Sequence, residues 1–210
     1  MGQGSCGCPS PQSHQVRRVV LTGGPGAGKT AVLEVVRKHL CEHVVVLPEA
    51  AGIVYGGGFP RRSNDAARRA GQLAIFHVQD QLEIMALAEG EPALVLCDRG
   101  VLDGLAYWPD EAERFFEATG TTQREVFGRY AAVIHLRTPT AATGYNRLNP
   151  LRLESADEAS AIDQRLLEVW KDHPRRMVVE CETEFLDKLE QTLAFLLREL
   201  PACCRVRGAR

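Results

Sequence analysis

Two hundred and ten residues, 45% of them hydrophobic, suffice for one α/β domain with a substantial core and require no second. A net charge of −2 leaves no basic footprint for bulk nucleic acid, and no apolar run reaches membrane-spanning length. The seven cysteines are odd in number, show no paired zinc-ligand spacing and follow no recognisable signal peptide, so a reducing, cytoplasmic setting is expected.

Residues 1–15 are rich in Gly, Ser, Pro and Gln and read as a disordered leader to a domain spanning 16–201. Val16–Thr22 is a β-branched apolar run, hence the first strand. Lys29–Leu40 follows as a helix with Val32, Val35, Val36 and Leu40 on its apolar face. Val44–Leu47 is a second strand, ending at Pro48-Glu49. Gly56-Gly57-Gly58 with Pro60 marks a mobile loop. A long helix is expected from about Asp65 to Ala88, with Leu73, Phe76, Ile84 and Leu87 along its inner side and Gln79 or Asp80 between them.

Ala93–Cys97 is a third strand running into Asp98-Arg99-Gly100, and Asp103 either extends that acidic cluster or, as the favoured reading, serves as a helix N-cap. Short helices are expected at Asp110–Ala118 and Gln123–Tyr130, the second opened by a capping box of Thr122 with Glu125. Ala131–Leu136 is a fourth strand. Residues 138–154 are irregular and carry Arg147 and Arg152. Ser155 and Glu158 form another capping box, opening a helix to about Asp172 with Ile162, Leu166, Val169 and Trp170 inward. Met177–Val179 is a fifth strand, Glu184–Leu200 a final helix stopped by Pro201, and 202–210 a loose tail. A metal site joining Cys6 and Cys8 to Cys203 and Cys204 is disfavoured on spacing, and the six histidines are scattered.

Strands that alternate with helices and read as unbroken apolar runs imply a parallel sheet with helices on both faces. Ligands then collect at the carboxyl ends of the strands, where this chain keeps its polar residues. After the first strand, GGPGAGKT fills the G-x-x-x-x-G-K-[ST] spacing of a phosphate-binding loop. Gly23, Gly24, Gly26, Ala27 and Gly28 would turn backbone N–H groups onto an anion, with Pro25 shaping the loop between them. Lys29 would meet the β and γ phosphates, and Thr30 would ligate Mg²⁺. Asp98, after LVLC, takes the place of a second metal-holding group. Arg99 is either a clamp on the acceptor or a structural partner of Glu49. Glu49 is placed to take a proton from an acceptor hydroxyl, or only to hydrogen-bond it. Arg152 is a candidate for charge neutralisation from a mobile loop.

The combination GGPGAGKT, VLPEAA, VLCDRG and NPLRLES resembles the NadR-type AAA family ATPases, a group similar to ribosylnicotinamide kinase and to the TRPL-translocation-defect proteins. The resemblance covers roughly residues 17–200. It implies a P-loop NTPase three-layer sandwich, a five-stranded parallel sheet of order 2-3-1-4-5, ATP or GTP with Mg²⁺, and a lid between strands four and five. The family's acidic residue after strand two matches Glu49, and its strand-three aspartate matches Asp98. Gly52 stands where the family commonly has arginine. Asn146 and Asn149-Pro150 stand where ribosylnicotinamide kinases carry a tryptophan and an Asp-Gly, so a nicotinamide riboside substrate does not carry over. The expected function is a small-molecule kinase that transfers the ATP γ-phosphoryl to an unidentified, nucleoside-like acceptor. The alternative is a nucleotide-binding switch or slow NTPase that acts through a partner.

Overall fold

A computed structural model describes residues 14–89, 92–139, 155–180 and 184–205. Five strands, β1 (Arg17–Thr22), β2 (Val44–Leu47), β3 (Leu94–Asp98), β4 (Ala132–Leu136) and β5 (Arg176–Val179), form one sheet in the order β2-β3-β1-β4-β5. Every pairing is parallel, with Val19 opposite both Leu96 and Ala132. Parallel strands need long crossovers, and helices supply them: α1 (Lys29–His39), α2 (Ala50–Gly56), α3 (Asp65–Glu89), α4 (Ala112–Thr119), α5 (Gln123–Arg129), α6 (Ala156–Val169), α7 (Phe185–Glu199) and α8 (Ala202–Arg205).

The two-residue side-chain period splits each apolar strand between two cores. Val19, Leu21, Leu94, Leu96, Ile134 and Leu136 pack on one face against Val32, Leu33 and Val36 of α1 and Leu196 of α7. Val20, Val95, Cys97 and Val133 pack on the other against Phe76 of α3, Phe115 of α4, Val126 of α5 and Trp170. Both faces are covered, which is why the strands read as continuous hydrophobic runs. The capping boxes at Thr122–Glu125 and Ser155–Glu158 are both formed.

Four expectations are corrected. The segment from Ala50 to Gly56 is the helix α2, and the expected irregular stretch with Gly57, Gly58 and Pro60 begins only after it. Val101–Tyr107 is a 3-10 helix, and Asp103 lies buried inside it, not at an N-cap. Helix α3 buries Phe76 and Gln79 as expected, but beyond them it is rotated from its apolar stripe, burying Glu83 while Ile84 and Leu87 are exposed. The tail is packed as far as Arg205: residues 202–205 are α8, and Cys204 joins the core. Likewise His14, assigned to the leader, is half-buried. Cys6, Cys8, Arg147 and Arg152 lie outside the described residues. Among the described residues, no helix is long and apolar enough to cross a membrane.

Candidate active site at the carboxyl edge of the sheet

All five strands point the same way, so the segments after β1, β2, β3 and β4 open on one edge. The turn after β1 is the glycine-rich loop. Gly23, Gly26 and Gly28 all have positive φ, and Gly28 forms the left-handed N-cap of α1. Gly24 is needed for a different reason: a Cβ there would stand 2.5 Å from Thr138 Oγ1 and 2.9 Å from the Ala159 carbonyl oxygen. Strand end, loop and α6 close so tightly that only hydrogen fits.

The Gly24 N–H donates to Asp163 Oδ1 at 3.1 Å, which ties the loop to α6. Asp163 is buried and also pairs with His135 Nε2 at 2.9 Å and accepts from Arg137 Nε at 2.7 Å. Burial alone would raise its carboxyl, but the His135 hydrogen bond and charge, with Arg137 and Gly24, hold it below the ordinary carboxylate value. Asp163 was not among the residues expected at the site. A helix-face aspartate carries no motif, and only the fold brings it under the loop.

Lys29 Nζ donates to the carbonyl oxygens of Gly23 and Gly24 at 2.8 and 3.3 Å. Desolvation and then the charge of Arg99 pull its ammonium down to about 8, against the pull of Asp98, Glu49 and Asp103. Thr30, on the first turn of α1, is exposed.

Glu49, Asp98 and Arg99 come together across β2 and β3. Arg99 Nε donates to Glu49 Oε1 at 2.6 Å, and Arg99 Nη1 donates to Asp103 Oδ2 at 3.3 Å. The pairing with Glu49, one of the two readings open from sequence, is therefore present. Arg99 is the one non-glycine residue among those described with positive φ, at 74°. Such a backbone costs about 1–3 kcal/mol and persists where the surroundings over-determine it. Here the Arg99 N–H donates to the Leu21 carbonyl oxygen at 3.1 Å, and the side chain is fixed at both ends of its fork. Asp103 is anchored in turn by Thr22 Oγ1 at 2.6 Å and Trp170 Nε1 at 2.7 Å. Gly100 permits this packing, since a Cβ would meet the Trp170 ring at 2.8 Å.

Burial would raise the Glu49 carboxyl, yet Arg99 and Lys29 outweigh it and keep Glu49 ionised below its ordinary value. Asp98 moves the other way: burial, with the like charges of Glu49 and Asp103, raises it despite Lys29 and Arg99. Asp98 Oδ1 is buried and accepts no hydrogen bond among the described residues. A buried carboxylate oxygen without a donor suits a cation or its bound water. The Tyr107 ring flanks this group, 6.0 Å from the Arg99 guanidinium.

Comparison with known proteins agrees with this geometry. No curated protein matches the chain in sequence. Among solved structures, a deoxyadenosine kinase from M. mycoides with bound dATP is similar in fold. It has a TM-score of 0.55 and 14% identity, over 86% of this chain and 98% of that one. A family model described as an AAA domain matches residues 18–187, from β1 into α7. The chain therefore belongs to the AAA-domain family of P-loop NTPases, and it carries that loop on a kinase-like five-stranded parallel sheet.

Proposed function

We propose that this protein is a phosphotransferase that moves the γ-phosphoryl of ATP or GTP to a hydroxyl of a small, nucleoside-like acceptor. The observation that carries the reading is the Glu49–Arg99 pair beside the phosphate loop. An arginine held in left-handed backbone fixes a carboxylate at the crevice, where a hydroxyl nucleophile must lose its proton. A switch without turnover has no use for such a base, whereas a slow NTPase would use it on water, so an acceptor is what separates the two readings.

In this reading the loop Gly23–Gly28 cradles the triphosphate, the N–H groups of Gly26, Gly28 and the N-terminus of α1 bind it, and the Gly24 N–H stays on Asp163. Lys29 leaves the Gly23 and Gly24 carbonyls to meet the β and γ oxygens. Glu49 accepts the acceptor's proton as its oxygen approaches phosphorus, and Arg99 orients Glu49 and draws on the acceptor. Asp98 and Thr30 would hold Mg²⁺, a hard ion suited to one carboxylate, a hydroxyl and phosphate oxygens. Bound there, Mg²⁺ supplies charge neutralisation on the transferring group. Phe185, exposed beside Gly28 at the start of α7, offers an apolar surface near the loop for a nucleotide base. Arg152 is retained as a lid residue in this proposal on sequence grounds alone.

The test is ADP release from Mg-ATP, measured against a panel of nucleosides, deoxynucleosides and sugars. The deoxyadenosine kinase likeness is the reason to begin with nucleosides. Acceptor-dependent, Mg²⁺-dependent ADP release with a phosphorylated product supports the proposal. Nucleotide binding with slow hydrolysis that no acceptor accelerates would favour the switch.

The depressed Lys29 gives a pH signature. In the free protein Lys29 loses its proton near pH 8, whereas bound phosphate anions favour the ammonium. Nucleotide affinity should then fall as pH rises from about 8 toward 10.5, the ordinary lysine value. Calorimetry at pH 8.5 in two buffers of different ionisation enthalpy should show net proton uptake on binding. Binding without proton uptake would mean that Lys29 is not both depressed in the free protein and recharged by the phosphates.

A further inference from the structure

At the opposite edge of the sheet, where the strands begin, the fold gathers five soft donors from three distant parts of the chain. His14 precedes β1, Cys41 and His43 occupy the turn between α1 and β2, and Cys203 and Cys204 lie on α8. Two triads, His14–Cys203–Cys204 and Cys41–His43–Cys204, each keep all their ligand atoms within 4.8 Å of one another. Cys204 belongs to both.

Within each triad the spacing is that of ligands around one tetrahedral ion, and the two triads meet at Cys204. His14 Nε2 lies 3.4 Å from Cys203 Sγ and 3.8 Å from Cys204 Sγ, and His43 Nδ1 lies 3.8 Å from Cys204 Sγ. Zinc–sulfur bonds of about 2.3 Å and zinc–nitrogen bonds of about 2.0–2.1 Å at tetrahedral angles put such nitrogen and sulfur atoms about 3.6 Å apart. Two imidazoles on one such ion have ring centres about 5 Å apart. The His14 and His43 rings are 4.9 Å apart.

The donors are also rigidly mounted. The His43 carbonyl oxygen accepts from Ala93 N at 2.8 Å and Leu94 N at 3.1 Å, which fixes it to the sheet. Val44 N closes the turn onto the Cys41 carbonyl oxygen at 3.0 Å. Cys204 N donates to the Pro201 carbonyl oxygen at 3.0 Å, and Cys204 is buried in the core, with Cys41 and Cys203 packed against it. A preformed, half-buried set of thiols and imidazoles selects a borderline-soft ion such as Zn²⁺ over Mg²⁺ or Ca²⁺.

We propose that this cluster is a structural zinc site. Cys41, His43 and Cys204 are three of its ligands, and the fourth comes from the His14–Cys203 pair. The result is Cys2His2 or Cys3His, both ordinary structural donor sets. The ion fastens the approach to β1, the entry to β2 and the C-terminal helix to one another, at the pole away from the phosphate loop. Binding releases the thiol protons and takes up no electrons.

The test uses the untagged full chain, expressed with zinc in the medium and purified under a thiol reductant without chelator. Mass-spectrometric metal analysis should find about one zinc per chain. Cobalt exchange should give the near-ultraviolet thiolate charge-transfer band and the visible bands of a tetrahedral thiolate–imidazole site. Chelation should lower the melting temperature by several degrees, with zinc but not magnesium restoring it. Cys204→Ser and His43→Ala should lose the metal, while His39→Ala, exposed at the end of α1, should keep it. The wild-type cobalt spectrum decides the matter even if Cys204→Ser does not fold. Reduced wild-type protein that holds no zinc and gives no thiolate–cobalt band would overturn the proposal, leaving a thiol–imidazole cluster. So would zinc that binds Cys204→Ser and wild type alike.

Discussion

Glu49→Gln is expected to bind Mg-ATP normally and to lose turnover by about 10²–10⁴-fold, the usual contribution of a general base. Glutamine keeps the shape and can still accept a hydrogen bond from Arg99 Nε, which now sits 2.6 Å from Glu49 Oε1. It cannot take the acceptor's proton. Nucleotide affinity should be insensitive because the triphosphate is held by the loop after β1 and the Lys29 ammonium. The pH profile provides a second check. Arg99 and Lys29 hold Glu49 ionised below the ordinary carboxylate value, so activity should persist with acidification to below that value before it falls. Turnover that holds at saturating acceptor while only acceptor affinity drops would make Glu49 a substrate ligand.

Asp163→Ala should be the most damaging change away from the crevice. Asp163 and His135 are fully enclosed, and Arg137 is only partly open to solvent. Truncation strands the His135 ring and the Gly24 N–H and takes the nearer of two carboxylates from Arg137, which keeps Glu180 at 3.6 Å. Removing one partner of a buried ion pair costs about 3–5 kcal/mol, a fall in melting temperature on the order of 10 °C for a chain of this size. Because the Asp163 carboxyl is depressed on folding, its stabilisation is present above the ordinary carboxylate value. It is lost as pH falls through the depressed one. Wild type should therefore lose part of its margin in acid that Asp163→Ala has already lost. Melting curves of both proteins from neutral to acid pH check this. Curves that run parallel throughout would show that Asp163 contributes no pH-linked stability. Nucleotide affinity should also weaken in the variant, since the Gly24 N–H loses the acceptor that fixes its orientation.

The parallel sheet was legible because its strands are dominated by apolar runs and the first four are followed by polar residues at the same end. The resemblance of GGPGAGKT, VLPEAA and VLCDRG then supplied the order of strands. Glu49, Asp98 and Arg99 were findable for that reason: a strand end in a parallel sheet has one place to go. The phase of α3 was not findable. Its periodicity favours Ile84 and Leu87, but Glu83 is drawn inward by Arg18 at 3.2 Å and Tyr130 Oη at 2.7 Å, partners 65 and 47 residues away. Asp103 was misplaced for the same reason. Read alone it is a helix-capping aspartate, and only Thr22 and Trp170, brought in by β1 and the end of α6, give it an interior role. Buried polar residues are decided by partners distant in sequence, and no local pattern announces them.

The alternation of strand side chains between two faces has a consequence for how the protein tolerates change. Val20 and Leu21 are covalent neighbours, yet the sheet's own backbone stands between their side chains, and each belongs to a different core. Leu21 and Leu96 are remote in the chain but share one interior. Substitutions at the first pair contribute independently, whereas those at the second compete for the same space and modify one another's cost. One layer can thus be repacked by drift without consulting the other, and the strand-end residues, mounted on the partition between them, keep their positions while it happens.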